Sequence, residues 1–238
     1  MSDKVRRRDL LLGAGVVGAA ALPIGSGPAV AQAPAAKPAA PAAPPAPAGY
    51  MFLKPSEQAF VEALVDHMIP ADDLTPSGTD IGVAVFIDRA CADGWGRGER
   101  LYLQGPWKVG APNQGYQLPL TPAEFYQQGI AASNAYCRKT YGKAFDKIAA
   151  ADKEAFLKGL QAGKIDLVGV PARDFFDMIY QTVMEGLFSD PIYGGNRDMA
   201  GWRLVGFPGV SANNAENIKT YNDGRPFKAE PLGIADMS

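Results

Sequence analysis

Few side chains in this sequence are suited to chemistry. His67 is its single histidine, and Cys91 and Cys137 are its two cysteines. One histidine excludes multi-histidine metal centres and leaves little basis for a histidine-dependent nucleophile. His67 stands near the end of an apolar-periodic segment, where an imidazole suits a helix dipole, so a structural role is favoured over catalysis. Asp72-Asp73 follow Pro70 at the exit of that segment. Paired acids hold Ca²⁺ only with further oxygen ligands at fixed spacing; these lack them and read as a solvated turn. Asp190, Asn196 and Asp198 lie in a glycine-rich stretch and read the same way. Gly194-Gly195 lacks the third glycine and the following helix of a dinucleotide loop. No Cys-x-x-Cys-His haem attachment and no Gly-x-Ser-x-Gly elbow occurs. No catalytic, cofactor-binding or metal-binding residue is therefore expected in this chain.

Each cysteine falls on the apolar stripe of a different expected helix. A Cys91–Cys137 disulfide would close a loop of about 47 residues, stabilising by roughly 4 kcal/mol in the chain-entropy model. An oxidising compartment favours that bridge; two buried free thiols acting as small hydrophobes are the open alternative.

The compartment is argued from the N-terminus. Arg6-Arg7-Arg8 precede Leu10-Leu11-Leu12, an apolar run continues to Leu22, and Ala29-Val30-Ala31 supplies a small-x-small cleavage site. Residues 1–31 thus read as a secretory signal, and the Arg7-Arg8 pair resembles a twin-arginine signal, which exports folded proteins. Residues 32–49 are a Pro/Ala-rich linker, expected to be extended and semi-rigid. Residues 50–238 are expected to form one domain.

Composition agrees with a globular chain. Of 238 residues, 47% are hydrophobic and 20% charged, and 23 Lys+Arg stand against 25 Asp+Glu. The net charge of −2 leaves no basic excess to hold a nucleic-acid backbone, so no nucleic-acid partner is expected.

The elements that would position these residues are helical. Pro55 opens a first helix striped by Phe60, Val61, Leu64, Val65 and Met68, and Pro70 stops it. Thr79 or Asp80 is expected to cap a second through Cys91. Thr121-Pro122-Ala123-Glu124 is a capping box that starts a third, running to about Tyr141. A fourth spans about 152–161. A fifth, Pro171 to Phe188, is apolar almost all round and expected to be central. No β-branched alternation intervenes, so the fold is expected to be all-α: an irregular bundle of about five helices with long loops and an extended C-terminal tail.

Two segments resist that scheme. Residues 93–120 hold six glycines and three prolines, yet also Trp95, Tyr102, Trp107 and Tyr116. Large aromatics on so long a loop argue for function or for completion of the core. The tail from Ser189 carries Tyr193, Trp202 and Phe207 among turn residues and poses the same choice. Trp95, Tyr102, Trp107, Tyr193, Gly194, Gly195, Asn196, Trp202, Phe207, Pro208 and Gly209 are the candidates for a partner interface, with the aromatics as anchors on a stiff backbone.

Several of these strings together resemble the gluconate 2-dehydrogenase subunit 3 family. They are Met68-Ile69-Pro70-Ala71-Asp72-Asp73, Phe86-Ile87-Asp88, and Phe188-Ser189-Asp190-Pro191-Ile192-Tyr193-Gly194-Gly195-Asn196. Gly201-Trp202 and Gly206-Phe207-Pro208-Gly209 complete the pattern, which covers about residues 52–210. Tyr102 to Trp107 and Gly115-Tyr116-Gln117 are similar to the longer, gluconate-type members. The resemblance implies a non-catalytic small subunit of a complex that oxidises gluconate. FAD would sit in a large dehydrogenase subunit, and haem c in a multihaem cytochrome subunit that passes electrons to quinone. It implies a periplasmic location beside the inner membrane, and export by the twin-arginine translocase together with the flavoprotein. A small subunit of a related fructose, glucose or sorbitol dehydrogenase, or a free-standing export chaperone, are the alternatives.

Overall fold

The structure is a computed structural model that describes residues 49–238, apart from 109, 112, 113, 115, 116, 212, 214 and 238. The expected signal, nearly all of the linker, and Tyr116 lie outside the described residues.

Five helices fall where the apolar periodicity puts them: α1 Pro55–Met68, α2 Val83–Ala92, α3 Pro122–Tyr141, α4 Ala150–Gln161 and α5 Ala172–Phe188. Two short ones, α6 Ala200–Val205 and α7 Ala215–Tyr221, follow in the tail. Among the described residues there is no strand, so the fold is all-α. No described helix is long and apolar enough to cross a membrane.

The caps explain the boundaries. In α3 the Glu124 amide donates to the Thr121 hydroxyl at 3.3 Å, and the Glu124 carboxylate accepts from the Thr121 amide at 2.8 Å. The Thr121 amide, and the Thr121 hydroxyl donating to the same carboxylate at 2.9 Å, hold the Glu124 carboxyl below its ordinary value. Gly142, with φ +74°, ends the helix in the left-handed conformation. The second helix differs from expectation. Ser77 to Gly82 close a turn of their own, and Gly82 (φ +85°), not Thr79 or Asp80, is the N-cap.

α5 is central, packing against α2, α3, α4 and α6, but it is not apolar all round. Phe175, Ile179, Val183 and Leu187 form its buried stripe. Phe175 meets Phe125 of α3 edge-on, with ring centroids 5.8 Å apart. A second aromatic line joins Phe60 of α1 to Phe145 and then to Phe156 of α4, at 4.6 and 5.6 Å. Asp88 of α2 is the buried carboxylate that ties down the entry to the domain. It accepts the amide N–H groups of Met51, Phe52 and Leu53 at 2.7, 2.9 and 2.8 Å.

Cys91 and Cys137 are both buried, and both are free thiols rather than the expected bridge. The register of α2 against α3 explains this. Gly96 lies against the Cys91 backbone, and its carbonyl accepts from Ala123 in the first turn of α3 at 3.0 Å. Cys137 is fourteen residues further along α3, roughly 21 Å down its axis, whereas a disulfide requires Cα atoms within about 7 Å. Burial pushes the Cys91 thiol up to about 12, with Asp88 and Glu57 adding to the shift, and pushes Cys137 up to about 11.

Candidate functional site

The glycine-rich segment after α5 forms a clasp. Asn196 is fully buried, in a left-handed conformation of φ +46°. Its amide donates to the Ser189 carbonyl at 2.8 Å, and its side-chain oxygen accepts from the Gly201 amide at 2.7 Å. The segment also reaches the turn that leads into α2: the Arg197 amide donates to Ile81 O at 2.8 Å, and its guanidinium to Asp80 O at 2.7 Å. The glycines allow this closeness. A Cβ on Gly195 would collide with the Gly186 carbonyl, and one on Gly201 with the Leu187 carbonyl. Gly194 adopts φ +95° beside Arg89.

Trp202 is only 5% exposed; its indole N–H donates to Phe188 O, and its ring meets Phe207 edge-on at 5.2 Å. Of the residues singled out from sequence in this segment, Gly195, Asn196 and Trp202 therefore face inward and Gly194 is half-buried. A glycine-rich aromatic stretch reads alike whether its rings point in or out; burial separates them here. Tyr193, 57% exposed, and Phe207 face outward.

Asp190 stiffens the outer surface of the clasp, a role that no sequence spacing announces. One carboxylate oxygen accepts the Ile192 amide at 3.0 Å, and the other accepts the Ile234 amide of the returning tail at 2.8 Å. Pro208 and Gly209 dock that tail: Leu232 N donates to Pro208 O at 3.1 Å, and Val210 N to Leu232 O at 2.8 Å. Ile192, Tyr193, Phe207, Leu232, Ile234 and Met237 are thereby left exposed on one clasp-and-tail assembly.

The long loop takes a different position. Gly96 fixes its base, and the Trp95 ring meets Tyr126 edge-on at 6.3 Å. Tyr126 is fully buried and hydrogen-bonded to Thr182 of α5. The Thr182 hydroxyl donates back to Met178 O at 3.0 Å, so the phenol is the donor of that pair. Burial first, with Cys91 behind it, pushes the Tyr126 phenol well above its usual range. Between loop and helix lies an open cleft of about 810 Å³, lined by Trp95, Leu101 and Trp107 and by Asp174, Asp177, Met178 and Gln181. Tyr102 stands outside it, 80% exposed.

The remaining polar candidates lie in contacts between helices and within a turn. His67 Nε2 lies 2.9 Å from Glu154 of α4, joining α1 to α4. That bond, and then Lys158, holds the Glu154 carboxyl below its ordinary value. Asp72 caps a turn by accepting from Leu74 and Thr75 amides at 2.9 and 3.0 Å. Among the described residues no group of three or more His, Cys, Asp or Glu side chains is placed to hold a metal ion.

A family model described as gluconate 2-dehydrogenase subunit 3 matches residues 55–209, from the first residue of α1 to the end of the clasp. Nothing among curated proteins or solved structures matches the chain. The family match spans more than half of the sequence and includes both the clasp and the aromatic loop. The chain belongs to the gluconate 2-dehydrogenase subunit 3 family.

Proposed function

We propose that this chain is the non-catalytic small subunit of a periplasm-facing complex that oxidises D-gluconate to 2-dehydro-D-gluconate. A large FAD-containing subunit does the chemistry, and a multihaem cytochrome c subunit takes the electrons to quinone. The chain stabilises the folded flavoprotein and carries the twin-arginine signal that exports the pair. The observation that carries this reading is the clasp: a family-matched segment spends its glycines, Asn196 and Asp190 on rigidity and leaves Ile192 and Tyr193 outside. Side chains pre-ordered in this way lose little entropy on docking.

The test is Ile192→Asp with Tyr193→Ala in the full chain, expressed with the flavoprotein. The expected result is an unchanged melting temperature with loss of co-purification, since a central interface residue is worth about 2–4 kcal/mol. Undiminished co-purification of the double variant overturns the docking role of the clasp.

A further inference from the structure

α5 has two unlike faces, and only one is explained by the core. Phe175, Ile179, Val183 and Leu187 are buried. Asp174, Asp177, Met178 and Gln181 fall at i, i+3, i+4 and i+7 and so share a second stripe, which forms the wall of the 810 Å³ cleft. A loop that merely completed the core would set its aromatics on an apolar stripe. Here Trp95 and Trp107 are instead held across a gap from a polar one, each 40% exposed. The volume lies inside the range of about 300–1,000 Å³ typical of small-ligand sites.

The chemistry of the lining selects the ligand. Asp174 and Asp177 supply acceptors; Gln181 gives one amide N–H to Glu185 at 2.8 Å, and its carbonyl oxygen is a third acceptor. Lys108 supplies a donor at the rim. An anion would meet two carboxylates here. A simple cation would meet Lys108, and Arg173, which stands 3.9 Å from Asp177. A purely apolar ligand would desolvate Asp174 and Asp177 and give no hydrogen bond in return. A neutral polyhydroxylated ligand fits every part: each hydroxyl both donates and accepts, and the C–H face of a sugar ring stacks on the electron-rich face of an indole. We infer that the cleft between Trp95, Trp107 and the Asp174–Gln181 stripe of α5 binds a neutral sugar or short oligosaccharide. This site is separate from the clasp and does not depend on the complex proposed above.

The chain contains three tryptophans, and two of them line the cleft, so intrinsic fluorescence reads it directly. The purified full chain is titrated with glucose, maltotriose and gluconate. Saturable fluorescence changes are expected for glucose or maltotriose, with gluconate about tenfold weaker or silent. Trp107→Ala and Asp177→Asn, both at exposed positions, are expected to weaken the response about tenfold or more with the melting temperature unchanged. Trp202→Phe is expected to leave the response intact. No saturable response to either neutral sugar overturns the inference. So does an equal or stronger response to gluconate, or an undiminished one in Trp107→Ala. Co-purification with a flavoprotein is untouched by any of these outcomes, so the two proposals fail separately.

Discussion

The indole of Trp202 donates its N–H to the carbonyl of Phe188 at 2.7 Å, so a residue of α6 satisfies a carbonyl that the last turn of α5 leaves open. This contact makes Trp202 part of the scaffold. Trp202→Ala is expected to destabilise the full chain by about 3–5 kcal/mol, the usual cost of emptying a buried tryptophan site. Trp202→Phe keeps one aromatic ring but loses the N–H and leaves the Phe188 carbonyl without its donor, at about 1–3 kcal/mol. Denaturant unfolding measures both; an unchanged midpoint for the alanine variant would remove Trp202 from the core.

Gly201 and Gly195 are tested by a single added methyl group. Each Cβ would run into a carbonyl oxygen of α5, at Leu187 or Gly186, and a backbone oxygen cannot swing aside. Gly201→Ala and Gly195→Ala are each expected to cost about 1–3 kcal/mol through overpacking. Thermal unfolding that matches the unsubstituted chain would show that the clasp is looser than described.

Asp88 accepts three backbone amides in the core, and one neutral amide oxygen cannot replace a carboxylate there. Asp88→Asn is expected to lose roughly 2–3 kcal/mol and to free the segment before α1. Amide hydrogen exchange at Met51, Phe52 and Leu53 localises the effect. Continued protection there would assign the anchoring to other contacts.

The two cysteines give a pH-dependent reading. Their folded values are raised by burial, to about 12 and about 11, from an ordinary 9.0. The stability they contribute is complete below the unfolded value and is lost as pH rises from about 9 through the folded values. At pH 8 neither thiol is expected to react in the folded chain, and both are expected to react after unfolding without reductant. Finding no free thiol after unfolding would establish a disulfide.

The legible parts of the fold are those in which a local rule decides. Pro55, the Thr121–Glu124 box and the apolar stripes located five helices, because a cap or a 3.6-residue period needs no knowledge of the partner surface. α6 and α7 escaped because six and seven residues are too few to show a period. Gly82 escaped because a left-handed glycine start carries none of the usual cap signals. The cysteine pairing depends on how far α2 slides along α3, a quantity absent from either helix alone. The aromatic candidates Trp95 and Trp107 were visible by type, yet their opposite wall, Asp174 to Gln181, lies far along the chain on a helix that reads as core. Asp190 became an anchor only when the tail returned to it.

Affinity purification of the full chain from membranes of cells that produce it, followed by absorbance of the eluate and addition of gluconate, tests the central claim most directly. The expected eluate carries bound flavin and haem c, and gluconate reduces the haem. A chain that elutes free of flavin and haem, while gluconate-oxidising activity stays in the unbound fraction, would contradict its place in the complex.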